Sequence, residues 1–150
     1  MPAKIFSLII ALLFSGLLLF DCSKSTSPDE NRYKLPDSNL SFSQHIEPLL
    51  EYRCAESGCH SSTDTDNKLL YFELVSRDGL VNHILSSTGE HLINPPIHKS
   101  QPEEAPFYKI ITVGYPGRPQ DLMPPFDQRS PLTDNQIAGI RQWIAEGCPN

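Results

Sequence analysis

One long apolar run stands near the start of the chain, and after it hydrophobic residues come only in short clusters. The run extends from Ile5 to Phe20, broken by Ser7, Ser15 and Gly16, and follows Met1, Pro2, Ala3 and Lys4. It is short for a membrane span, which needs about 20 residues, and its basic start and apolar middle predict a secretion leader over residues 1–21 rather than a retained anchor helix. Ser23 to Asn39 is rich in Ser, Asp, Lys and Pro, which predicts a flexible tether over residues 22–39. From residue 40 the apolar positions recur at helical spacing. Ser41 and Gln44 form a capping-box pattern ahead of Ile46, Leu49 and Leu50, with Pro48 in the first turn, and this helix should end near Cys54. Leu80, Ile84 and Leu85 after Asp78 and Gly79 predict a second short helix. Phe107, Ile110, Ile111 and Val113 suit either a short helix or a buried strand before Gly114.

The last element is the clearest. Thr133 and Gln136 repeat the capping box, Ile137, Ile140 and Ile144 follow at three and four, and Gly147 and Pro149 stop the helix, so residues 134–146 should be helical. Gly139 lies inside it, one turn before Trp143, where glycine costs about 1 kcal/mol relative to alanine. Either another backbone crosses there or the glycine is simply tolerated. With no internal repeat and few strand signals, residues 40–150 read as a single all-α domain of several short helices.

Composition sharpens this picture. The chain holds 14 prolines in 150 residues, close to twice the usual share of about 5%, which implies loops joining short helices. Hydrophobic residues make up 39% of the chain, but the leader takes a disproportionate share of them. What remains is thin beside the roughly 45–50% usual for globular domains counted with glycine. A cofactor or disulfides would complete such a core. The net charge of −6 argues against nucleic acid and is compatible with docking to a basic redox partner.

Candidate chemistry centres on Cys54, Cys59 and His60 in the phrase C-A-E-S-G-C-H, and on Met123 in the phrase Leu122, Met123, Pro124, Pro125. Two thiols can add to the vinyl groups of a haem, the adjoining imidazole can bind iron from one side, and a remote thioether from the other. A neutral thioether favours reduced iron, so a Met/His pair suits an electron carrier. The usual attachment signature is C-x-x-C-H, whereas four residues separate the cysteines here. Glu56 to Gly58 could bulge out, or the gap could leave attachment through Cys59 alone. Met123 precedes Pro124, which favours extended backbone at the methionine and makes the segment a stiff ligand mount.

The order of these phrases resembles class I c-type cytochromes. More narrowly, Phe42 to Gly147 is similar to the small cytochrome c domains of planctomycete type carried by bacterial lipoproteins. The resemblance lies in Ile46, Glu47, Pro48, Leu49, Leu50 before the first cysteine, then Met123, Pro124, Pro125, then Leu132 and Thr133, then Trp143 and Ile144. It implies a cytochrome c-like fold around one covalent haem c, with thioethers at Cys54 and Cys59, iron ligated proximally by His60 and distally by Met123, and electron transfer at the cell envelope. The residues before Cys22 look like a lipoprotein box with an unusual Phe20 and Asp21. That likeness implies lipid on Cys22 and a periplasmic or outer-surface location, with secretion if Cys22 is not lipidated. Redox donor and acceptor proteins are implied without being named.

The residues leave alternatives open. Cys148 could pair with Cys54, and in a haem-free, disulfide-held surface or binding module Cys54 could pair with Cys59 and Cys22 with Cys148. Cys54, Cys59, His60 and Cys148 have the ligand types of a zinc site. Met123 could be an ordinary core methionine, and His91 or His98 could take its place at the iron, although His45, His83, His91 and His98 read first as exposed or hydrogen-bonded residues. Asp64, Asp66 and Asn67 hint at calcium, but Lys68 and Leu69 stand where an EF-hand needs an oxygen ligand and a glycine. No phosphate loop, nucleophile elbow or catalytic carboxylate pair is present, so no catalytic residue is expected.

Overall fold

A computed structural model describes residues 32–55, 59–60, 76–114, 118, 121–125 and 130–150. The leader, Cys22, the first part of the expected tether, Glu56 to Gly58 and the Asp64, Asp66, Asn67 cluster lie outside the described residues. Within them the protein is helical. A π-helical turn, Phe42–Ile46, runs into α1, Glu47–Arg53, followed by α2, Arg77–Asn82, α3, Pro95–His98, a 3-10 turn at Pro102–Glu104, α4, Pro106–Thr112, and α5, Asp134–Ala145. An isolated β-bridge joins Ile84 to His91.

The expected capping signals mostly operate, one of them with a change of partner. Ser41 Oγ accepts the Gln44 amide at 3.2 Å, but the Ser41 amide donates to His45 Nδ1 at 3.0 Å rather than to Gln44. At α5 the box is complete: Thr133 Oγ1 accepts the Gln136 amide, and Gln136 Oε1 accepts the Thr133 amide at 3.0 Å. Gly147 at φ 88° and Cys148 at φ 57° turn the chain out of that helix. The second helix stops earlier than its apolar spacing suggests. Ile84 lies beyond its end, exposed, because His83 is already extended and the chain turns back so that Leu92 donates to the His83 carbonyl at 2.8 Å. The run at Phe107 to Val113 resolves as helix, with proline starting it. α3 and the 3-10 turn, each opened by proline, are elements the apolar pattern does not announce.

The two ends of the domain are tied together. Phe42 and Trp143 meet ring to ring at 5.7 Å, and the Pro149 carbonyl accepts both the Phe42 amide and Trp143 Nε1 at 2.9 Å. Glu146 accepts the Asn39 and Leu40 amides through its two carboxylate oxygens, each at 2.9 Å. The end of the expected tether is therefore packed, not free. Leu35 is 4% exposed, its amide donates to Asn135 Oδ1 at 2.8 Å, and its carbonyl accepts Asn135 Nδ2 at 3.1 Å. Leu35 also explains Gly139. A Cβ there would stand 2.4 Å from Leu35 Cδ1 and 2.6 Å from Leu35 Cβ, so the close crossing is real and its partner is the chain before the first helix.

Candidate functional site

α1 delivers Cys54 as its C-cap, with the Cys54 amide donating to the Leu50 carbonyl at 2.7 Å. Leu49 and Leu50 on that helix are fully buried, so core packing fixes the helix and Cys54 is carried to the core's margin, half-buried. The chain then returns on itself. The His60 amide donates to the Cys54 carbonyl at 3.1 Å, which brings the backbone of His60 to that of Cys54. Cys54, Cys59 and His60 are all half-buried.

Met123 comes from the other half of the domain. Its amide donates to the Ile110 carbonyl on α4 at 3.0 Å, its peptide bond to Pro124 is cis, and Pro124 is buried while Met123 itself is only half-buried. Further on, Leu132 inserts into the core. Between these points the return of the segment is held by Arg53, the residue just before Cys54. Arg53 is 7% exposed and its Nη2 donates to the carbonyls of Ser130 and of Pro131, the latter at 2.9 Å. Its Nε is buried with no hydrogen-bond partner.

The histidines separate by role. His45 caps the first turn, and His98, 8% exposed on α3, accepts the Asn94 amide on Nδ1 at 2.8 Å. Burial, and after it Lys109, push the His98 imidazole below its ordinary range, against a smaller pull from Glu90 and Glu104 and with a further push from His91. The histidine that lies electrostatically near His60 is His83. Burial, and then His60, lower its affinity for a proton. Sequence spacing did not single out His83, because the apolar pattern carried the helix past it; its place at the end of α2 is set by the turn that returns the chain toward Leu92.

Cys148 is fully buried. Burial pushes its thiol up to about 12, against a weaker lowering by Arg77, whose Nε donates to the Cys148 carbonyl. Cys59 and Cys148 carry free thiols. Among the described residues no three or more His, Cys, Asp or Glu side chains gather as a metal-binding group, so the zinc set of Cys54, Cys59, His60 and Cys148 is not assembled.

A haem needs two reachable thiols, an imidazole beside one of them, a second axial donor and some compensation for its carboxylates. Cys54, Cys59 and His60 supply the first two on one closed loop, and Met123 is a donor of suitable type on a backbone anchored to α4. The buried Arg53 cation beside Cys54, with one N–H unfilled, is compatible with a group that brings carboxylates. The residue types present fit the group. Compared with known protein families, curated proteins and solved structures, the chain matches none.

Proposed function

We propose that this protein is a monohaem c-type cytochrome of the bacterial envelope that transfers electrons, exported by its leader and held to a membrane by lipid on Cys22. The observation that supports the reading is the bond from the His60 amide to the Cys54 carbonyl, which ties the backbone of the C-H end of the motif to the residue that caps α1. Cys54 and Cys59 would hold the haem by thioethers, His60 would ligate the iron proximally and Met123 distally. Bound there, haem c supplies a reversible one-electron couple, and Met/His ligation biases it toward the reduced state. This chain's own residues contribute attachment, axial donation and a partly apolar surround from the core face next to Cys54.

The haem-free, disulfide-held alternative pairs Cys54 with Cys59 and Cys22 with Cys148, and the variant with haem on Cys59 and His60 alone pairs Cys148 with Cys54. A thiol enclosed by the core and pushed up to about 12 is a poor participant in exchange, because the thiolate is the reacting form. That favours the reading in which Cys54 and Cys59 are the reactive pair and Cys148 is packing.

The test is the visible spectrum of protein coexpressed with haem c maturation machinery, oxidised, reduced and denatured in alkaline pyridine. Colour that survives denaturation, with sharp reduced bands, is expected; the pyridine band position distinguishes two thioethers from one. Met123→Ala should lose the weak far-red charge-transfer absorption with haem still attached, and His60→Ala should abolish stable assembly. Colourless protein beside a working control cytochrome overturns the proposal.

A further inference from the structure

The geometry points to Arg53 as a positioning residue that locks the distal-ligand loop to the haem-attachment helix, an inference that rests on the function proposed above. The segment carrying Met123 has two described anchors. At its start the Met123 amide is bonded to Ile110 on α4. Seven residues later the Ser130 and Pro131 carbonyls both accept from Nη2 of Arg53. Arg53 is the last residue of α1 and the immediate neighbour of Cys54. One side chain thus ties the return of the Met123 loop to the backbone that places the first thioether.

The arrangement suits a clamp better than a surface contact. Arg53 is 7% exposed while Ser130 and Pro131 are exposed, so its hydrogen bonds to the two carbonyls are partly shielded from water. A guanidinium can serve two carbonyls from one fixed plane, where an ammonium would meet them as a point charge. Its charge is matched by carbonyl dipoles rather than by a carboxylate, since none of the described salt bridges includes it. Losing the clamp leaves Met123 fixed at the Ile110 end and released at the other. The thioether then competes less well against an external ligand for the iron, while the cysteines and His60 stay in place.

Ferric wild-type, Arg53→Met and Arg53→Lys proteins should be titrated with imidazole, which replaces the distal ligand, alongside pyridine spectra and far-ultraviolet circular dichroism. Arg53→Met is expected to bind imidazole at least about tenfold more tightly than wild type, equivalent to about 1.4 kcal/mol, with haem still attached and helix content retained. Arg53→Lys, which keeps a charged donor, should fall between the two and serves as the readable variant if Arg53→Met does not fold. Glu146→Gln, on the tie between the chain ends, controls for general loosening and should leave imidazole affinity unchanged. Unaltered affinity in both Arg53 variants, or an equal gain in Glu146→Gln, overturns the inference while leaving the cytochrome reading intact. If instead Met123→Ala leaves the wild-type spectrum unchanged, the ligand assignment fails and this inference fails with it.

Discussion

Gly139→Ala is the substitution whose sign the structure decides against local propensity. Alanine in the middle of α5 is worth about 1 kcal/mol more than glycine, so an unobstructed site would be stabilised. Here the new methyl would sit 2.4 Å from Leu35 Cδ1, 2.6 Å from Leu35 Cβ and 3.0 Å from Leu35 Cγ. Leu35 cannot turn away cheaply, because its own amide and carbonyl are both held by Asn135. Forcing a methyl into a packed contact costs about 1–3 kcal/mol, and expelling Leu35 instead forfeits about 1.5–3 kcal/mol of burial together with its Asn135 bonds. The net expectation is a loss of about 2 kcal/mol, on the order of 8 °C in melting temperature for a domain of this size. In a Leu35→Gly background the obstruction is gone, and the same change should stabilise by about 1 kcal/mol. Urea unfolding of the four proteins of this cycle, in one cofactor state and with Cys22 replaced by serine, gives the coupling directly, expected near 3 kcal/mol. A coupling within about 0.5 kcal/mol of zero, or a stabilised single Gly139→Ala variant, would refute the contact.

Three further outcomes follow from the same anchors. Glu146→Gln keeps the shape of the tie to Asn39 and Leu40 but removes its charge, and should cost about 1–2 kcal/mol at pH 7 in urea unfolding. Partial burial works to raise the Glu146 carboxyl, yet Gln142 and the Leu40 and Asn39 amides outweigh it and, with His45, hold the group below its usual 4.5. Its contribution is therefore present above pH 4.5 and lost as pH falls through the lower folded value, so the wild-type advantage over Glu146→Gln should shrink in melts taken across that range. His98 is depressed in the same sense but titrates from 6.5: its neutral form holds the Asn94 amide, so stability present above pH 6.5 should decline as pH falls through the folded value. His83 declines alongside it, so the measurement is the difference between wild type and His98→Leu, which should show a shallower loss between pH 7.5 and 5. Cys148 should resist alkylation in the native protein at pH 8 and react after denaturation, read by mass mapping; labelling of native Cys148 contradicts its burial.

The parts of this fold that were legible in the sequence are those governed by neighbours a few residues apart. The capping box at Thr133, the three-and-four recurrence of Ile137, Ile140 and Ile144, and the stop at Gly147 are local, and α5 follows them closely. The N-terminal packing was not legible, because nothing in a Ser, Asp, Lys and Pro-rich segment reveals that one leucine within it fills the notch left by a glycine about a hundred residues away. Gly139 signalled a close approach without naming the partner. α2 was over-extended for the converse reason: Leu80, Ile84 and Leu85 keep helical spacing, but the bond from Leu92 to the His83 carbonyl decides where the helix ends. At the candidate site the ligand types were legible and their supports were not. Arg53 carries no motif, and its use depends on the chain returning past it 77 residues later.

Met123 lies at the margin of the core rather than at its centre. The centre of the core is enclosed on all sides, with Leu49, Ile93 and Ile140 at 0% exposure. Met123 instead stands half-buried between a fixed backbone bond at its own amide and a buried proline that follows it. Its position is determined while its side chain does not complete the core. Cys54, Cys59 and His60 are likewise half-buried, with the His60 amide bonded to the Cys54 carbonyl. Cys148, the one cysteine among these that the core does enclose, is the one for which the haem reading has no use. In a chain with so thin an apolar core, the proposed haem would complete the cover of these residues of ligating type.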